Sequence, residues 1–423
     1  MAIILDMDDG SFRSTVQKYK DHVNPGLAKL LSFAGYGVED HAEGCYIYDH
    51  TGRRFLDCLG GYGVFSLGHR HPKVVEAAKK ALDTMPLSSK VFFGRAYADL
   101  AEKLAQIVPG MQFTFMCNSG TEAVEGALKA AKMFDHRPKV ISTIGGFHGK
   151  SMGSLSATGK DKYREPFYPL IPQFDFVPFN DVGALATAVD DHTAAVIVEP
   201  VQGEGGIHVP AADYLPQVKE ICERHGALLI LDEVQTGFGR TGKMFGMEHS
   251  GVTADIVTLA KSLGGGVVPA GAFMGTPEVW ERAFGENPLL HTSTFGGNPL
   301  ACSVALAMIE VTEEEGLAEN SRVVGDHLIA GLREIQKAFP QVAAEVRGVG
   351  LMIGVEFAMD DIGELCIASM VKRDVVAAYT LNNPRVIRFE PPLIMTVDQA
   401  DTVVDVFRES VQETSELLAA VLG

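Results

Sequence analysis

Residues 227–242 read ALLILDEVQTGFGRTG, and residues 254–266 read ADIVTLAKSLGGG. Each opens with an apolar run of strand length that ends at a charge, Asp232 in the first and Lys261 in the second. Small or glycine-rich residues follow each charge. Strands buried on both faces of a parallel sheet read as continuous apolar runs rather than alternating ones. Ligands of such sheets bind beyond the carboxyl ends of the strands. The two charges are therefore expected to face one crevice, an acid beside an amine.

The same pattern repeats on either side. FTFMC, KVISTI, AAVIVEP, ALLILD and DIVTLA read as short strands, and EAVEGALKAAKMF and YLPQVKEICERH between them read as helices. Such alternation from about Pro72 to Asn320 implies βαβ units and an α/β fold around a mostly parallel sheet. A helix over 299–314 follows, and then a smaller α+β part with strands at Glu345–Ala358 and Val386–Phe389. Ahead of the sheet, residues 12–35 read as helical and lead into short strands within Gly44–Cys58, turning at His50–Gly52. At 423 residues the chain exceeds what one core usually holds. The expected division is residues 1–71 as an N-terminal segment of a small domain, 72–320 as a large domain, and 321–423 as the rest of the small domain.

Composition narrows the partners. With 54 acidic and 36 basic side chains the formal net charge is −18, which disfavours nucleic acid and anionic membranes; it lets cationic substrates be steered inward, although many enzymes are acidic for solubility alone. The six cysteines are scattered, with no CxxC and no histidines at metal spacing, so a reduced compartment without structural zinc is expected. MAIILDMDDG lacks the basic region and cleavage site of a signal peptide. No apolar stretch is long enough to span a bilayer. A soluble, cytoplasmic protein is the expectation.

Several loops carry chemistry. Asn118, Ser119, Gly120 and Thr121 lie between a strand and a helix, where free N–H groups and hydroxyls form either an ordinary helix cap or an anion site. In GGFHGK, Phe147 and His148 are flat side chains suited equally to stacking on a heteroaromatic ring or to core packing. Lys150 is the cation of that loop, positioned for a substrate carboxylate or simply for solvent. VEPVQGEGG places Glu199 at a strand end and Glu204 in the glycine-rich loop, as acid/base groups, amine ligands or arginine partners. HTSTFGGNPLAC offers Thr294 as a second phosphate donor, and Arg388 inside the apolar VIRF needs an anionic partner. A carboxylate for a ring nitrogen, an amine for an imine and a phosphate loop together describe a site for pyridoxal 5'-phosphate (PLP).

Taken in order, SGTEA, GxFHGK, EPxQGEGG, LDEVQTGFGRTG, AKSLGGG, TSTFGGNPLA and RFEPPL resemble the class-III PLP-dependent aminotransferases of fold type I. The likeness runs from GGYGVFSLGHRHP to VIRFEPPL, nearly the whole chain. It implies a large PLP domain, a smaller α+β domain, and a homodimer whose active sites are shared across the interface; pairing of dimers into tetramers stays open. It implies that Lys261 forms the imine with the cofactor and moves the proton, that Asp232 keeps the ring nitrogen protonated, and that Gln235 touches the ring hydroxyl. Phe147 would stack on the ring with His148 beside it. Ser119, Gly120 and Thr121 would hold the phosphate, with Thr294 reaching in from a second subunit. Arg388 would clamp the carboxylate of a 2-oxo acid, and Glu204 would pair with Arg388 when an amine lacking that carboxylate is bound. The subgroup likeness is to putrescine (diamine) aminotransferases, with ornithine, acetylornithine and 4-aminobutyrate enzymes as relatives. The acceptor expected is 2-oxoglutarate, with pyruvate as the alternative.

Two positions depart from the family pattern. Lys150 stands where many members have Arg, and Tyr62 occupies a substrate-facing position that varies between subgroups. An aminomutase or racemase on the same scaffold is the nearest rival reading, and a noncatalytic PLP-fold regulator the other.

Overall fold

The computed structural model describes residues 10–34, 36–360 and 362–422. Residues 1–9, on which the expectation of no signal peptide rests, and the end of the helix expected over 12–35 lie outside them. Helices Gly10–Lys18 and Pro25–Ala34 lead into three antiparallel strands, β1 (Glu39–Glu43), β2 (Tyr46–Asp49) and β3 (Arg54–Asp57).

The large sheet holds seven strands: β4 (Phe113–Cys117), β5 (Lys139–Thr143), β6 (Phe174–Val177), β7 (Thr193–Val198), β8 (Leu228–Asp232), β9 (Ile256–Leu259) and β10 (Gly271–Gly275). Their order is β4-β10-β9-β8-β7-β5-β6, and β10 alone runs against the rest. Every residue of β7, β8 and β9 is buried, as their unbroken apolar runs require. The strand β10 is absent from the sequence reading. Its five residues, GAFMG, begin and end in glycine, which weakens a strand signal. Gly271 is fixed by contact, because a Cβ there would sit 2.4 Å from the Ser119 carbonyl oxygen.

The C-terminal part adds β11 (Ala343–Val349), β12 (Met352–Phe357), β13 (Val375–Val376), β14 (Ala378–Tyr379) and β15 (Val386–Phe389). Four of them form an antiparallel sheet in the order β11-β12-β15-β14. The fifth, β13, pairs in parallel with β3, joining the two ends of the chain in one sheet. Among the described residues no helix is long and apolar enough to cross a membrane.

The helix Leu317–Ala338 ties this part to the site loops. Ser321 Oγ donates to the Arg240 carbonyl at 2.8 Å and accepts the Leu351 N–H at 3.0 Å. One turn on, buried Gly325 lies against Gly350, where a Cβ would be 2.1 Å from the Gly350 carbonyl oxygen. Gly→Ala inside a helix ordinarily gains about 1 kcal/mol. Here overpacking reverses the sign, and Gly325→Ala is expected to lose about 1–3 kcal/mol in urea unfolding. A gain in stability would refute the close approach.

Candidate active site

The carboxyl ends of β7, β8 and β9 converge as their sequence pattern requires. Asp232, the last residue of β8, is 4% exposed and accepts from Thr258 Oγ1 at 2.9 Å and from the Val234 N–H at 3.2 Å. Its Oδ2 lies 2.7 Å from His148 Nδ1. An ionised carboxylate has about four acceptor positions. Three are taken, which leaves one for a protonated ring nitrogen. His148 is thus placed behind the acid, edge to carboxylate, rather than as a second stacking ring. Burial works against a charged imidazole, but the hydrogen bond and charge of Asp232, helped by Glu199, raise the His148 pKa above its ordinary value. Its Nε2 is buried and has no hydrogen-bond partner among the described residues.

Lys261 follows β9 by two residues. Its φ is +47°, a left-handed conformation that costs a non-glycine residue free energy and that clusters at functional sites. No hydrogen bond or ion pair of Nζ is found among the described residues. Burial lowers its pKa, Glu390, Glu204 and Glu199 oppose that, and Arg388 adds to it. The result is a lysine prepared to act as a nucleophile.

Ser119 caps the helix Gly120–Asp135, its Oγ accepting the Glu122 N–H at 3.3 Å. The first intrahelical bond runs from the Ala123 N–H to the Ser119 carbonyl, so the N–H groups of Gly120 and Thr121 precede the ladder. The Thr121 hydroxyl is already engaged with Ser151 Oγ at 2.7 Å and Ser154 Oγ at 2.5 Å. Glu125 in turn accepts from Ser151 Oγ and from the Gly153 and Ser154 N–H groups. Neither serine stands out in sequence. Thr294 is exposed, and its neighbour Ser293 lies 3.4 Å from Asn118 Nδ2, so the two loops adjoin.

Above the crevice, Phe147 is half-buried and its N–H donates to Glu199 Oε1 at 3.0 Å. Lys150 is exposed, with Nζ 4.6 Å from the Tyr163 ring centre and 5.9 Å from that of Phe147. Glu199 also accepts the Gly203 N–H at 3.0 Å. Burial pushes the Glu199 carboxyl up from its ordinary 4.5 to about 7, with His148 pulling against the rise and Asp232 adding to it. A carboxyl raised on folding contributes stability that is full below its unfolded pKa and is lost as pH rises through the folded one. Compared with Glu199→Gln, the native protein is expected to lose on the order of 3 kcal/mol between about pH 4.5 and pH 8. Urea midpoints across that range measure it, and equal pH slopes for the two proteins would refute the shift.

Arg388 lies within β15 and is fully buried, as is its pairing with Glu204: Nη1 to Oε1 at 2.6 Å and Nη2 to Oε2 at 2.7 Å. The Tyr62 ring lies over the guanidinium at 4.9 Å, and Tyr62 itself has φ +63°. Burial favours protonation of Glu204, but the charge and hydrogen bonds of Arg388 outweigh it and lower the pKa. Gln235, 7% exposed, gives its Nε2 to both oxygens of Glu390, at 2.8 and 3.0 Å. Glu390 is a charge directly after a buried strand, the signal that marked Asp232 and Lys261, and it went unread in sequence.

Among the described residues, an acid with one open acceptor position, a strained lysine without a hydrogen bond or ion pair and a helix start with free N–H groups fit pyridoxal phosphate in charge and in hydrogen-bonding capacity. Residues 36–411 match the model of the family "aminotransferase class-III". A transaminase from the marine bacterium Virgibacillus is 30% identical, superposes with a TM-score of 0.90, and covers 96% of this chain and 100% of its own. Ornithine aminotransferase from Toxoplasma gondii, whose crystals show partial occupancy of PLP, is 30% identical with a TM-score of 0.87 over 96% and 98% of the two chains. An omega transaminase from Pseudomonas jessenii in complex with PMP is 27% identical with a TM-score of 0.87 over 93% and 96%. The chain belongs to the class-III aminotransferases, PLP-dependent enzymes that move an amino group from an amine donor to a keto acid.

Proposed function

We propose that this aminotransferase takes nitrogen from the terminal amine of a diamine, putrescine or a near relative, and passes it to 2-oxoglutarate in two alternating half-reactions. The observation that carries the reading is the buried two-point pair of Arg388 and Glu204. With Glu204 in place the arginine is neutralised, which suits a donor that has no carboxylate beside its reacting carbon. A 2-oxo acid brings its own carboxylate to the same guanidinium fork and displaces Glu204. Bound PLP supplies the electron sink. Around it, Asp232 would hold the proton on the ring nitrogen and Phe147 would pack against the ring. Gly120 and Thr121 would give N–H groups to the phosphate, and Lys261 Nζ would carry the proton to and from the carbon bearing nitrogen.

Completion of the site by a second copy of the chain is part of the proposal. The loop carrying the exposed Val91, Phe92 and Phe93 abuts the Thr294 loop through Lys90 and the Gly296 carbonyl. An exposed apolar patch of that kind marks an interface, and it borders the loop expected to serve the partner's phosphate.

Lys150 favours a second reading, in which its ammonium meets the distal carboxylate of ornithine or acetylornithine. A panel of putrescine, cadaverine, ornithine, acetylornithine, lysine and 4-aminobutyrate, each with 2-oxoglutarate and with pyruvate, separates the two. Turnover of ornithine or acetylornithine without putrescine would sink the diamine assignment, and turnover independent of any keto acid would point to an isomerase.

A further inference from the structure

Three segments meet beside Lys261, and each is stitched to the next. The Glu390 N–H donates to the Cys58 carbonyl at 2.8 Å, and the Leu393 N–H to the Ser66 carbonyl at 2.7 Å. Ser262 Oγ lies 3.0 Å from the Gly63 carbonyl and 2.6 Å from Ser66 Oγ. Arg240 closes the arrangement by donating to the Pro391 carbonyl at 2.6 Å. Gly63 sits at the centre. An atom at its Cβ position would be 3.8 Å from Lys261 Cδ, 3.9 Å from Gln235 Cγ and 3.9 Å from Glu390 Oε2. Because residue 63 is glycine, it puts no side chain of its own into the space bordered by the lysine, the acid and Gln235.

We propose that Glu390 is the electrostatic positioning residue of the site, held by Gln235 and bordering with Lys261 the space at Gly63, so as to stabilise positive charge on the lysine nitrogen. The charged groups that act most strongly on that nitrogen are Glu390 and Arg388 from the β15 segment, Glu204 from the glycine-rich loop, and Glu199 from the end of β7. Glu204 is neutralised by the fork of Arg388 at 2.6 and 2.7 Å. Glu199 gives its oxygens to two N–H groups, and its pKa of about 7 leaves it only partly charged at neutral pH. Glu390 approaches Arg388 only to 3.7 Å and otherwise accepts from the neutral Gln235 amide. The buried Arg240 guanidinium also lies in the field of Glu390, yet among the groups that raise the Lys261 pKa Glu390 is the strongest. The consequence is control over the pH at which the lysine nitrogen gives up its proton, without contact with the reacting atoms.

This rests on Lys261 as the anchor of the cofactor, and the test is chosen to separate the two. The pH midpoint at which the visible absorbance of the holoenzyme changes reports protonation of the lysine–cofactor nitrogen. Glu390→Gln keeps an acceptor for Gln235 and removes only the charge. Its midpoint is expected to fall by about 1 pH unit, the lower end of what a nearby opposite charge produces. Glu390→Asp keeps the charge but draws it back by one methylene, and its midpoint is expected between those of native and Gln proteins. If the Gln protein does not fold, the Asp midpoint alone decides. A midpoint unchanged or raised in the folded variants overturns the proposal. If Lys261→Ala instead retains the native visible band, the anchor assignment has failed and not the role of Glu390.

Discussion

Lys261→Ala is expected to abolish turnover, by at least about 10⁴-fold, the upper end of what a positioned proton-transfer group contributes. The fold should survive, for a reason visible at the residue. A buried amine without a hydrogen bond or ion pair among the described residues is a cost to the native state, and its pKa is lowered mainly by that burial. Removing it relieves desolvation, and the left-handed backbone at φ +47° is borne by Ala as by Lys. Thermal unfolding of the variant without added cofactor is therefore expected at or above the native temperature. The chemical readout is independent of activity: borohydride reduction should fix the cofactor's mass to the native chain and not to the variant. A reduced adduct on Lys261→Ala, or transamination at the native rate, would place the anchor elsewhere.

The fold was legible where burial alone decides the sequence. The strands β7, β8 and β9 lie between covering layers, so their apolar runs and the charges at their ends could be read without a structure. The neighbouring positions of Asp232 and Lys261 follow from that rule, whereas the meeting of Glu204 with Arg388 was expected only from the family resemblance. What could not be read depends on partners distant in sequence. His148 and its carboxylate partner Asp232 are 84 residues apart, so the flat ring suggested stacking where the structure shows a hydrogen bond. Ser151 and Ser154 matter only because they reach Thr121 some 30 residues away. Glu390 belongs to a different class, since it sits at the end of the buried strand β15 and obeys the same rule as Asp232. The five-residue strand β10, bounded by glycines, is specified by its neighbours β4 and β9 rather than by its own pattern.

Removal of the Arg388 fork should separate the two half-reactions. A hydrogen-bonded buried charge pair contributes about 2–5 kcal/mol when one partner is truncated. For Arg388→Ala this corresponds to a loss of about 30- to 4,000-fold in kcat/KM for the 2-oxo acid. The donor half-reaction with a carboxylate-free amine should change far less, because that amine never engages the fork. Single-turnover changes in cofactor absorbance measure each half separately, and equal losses in both would contradict the assignment of Arg388 to the acceptor. Stability gives an independent check with a defined sign. In the native protein the Glu204 pKa is lowered, so its contribution is present above the ordinary carboxyl pKa and is lost as pH falls through the lowered one. Without Arg388 the dominant remaining influence is burial, which raises the Glu204 pKa instead. The variant is then least stable relative to native at neutral and higher pH, by about 3–5 kcal/mol, and the gap should close in acid as Glu204 takes up its proton. Adding Glu204→Gln to Arg388→Ala should recover much of that stability without restoring use of the 2-oxo acid, since it removes the stranded charge but rebuilds no clamp.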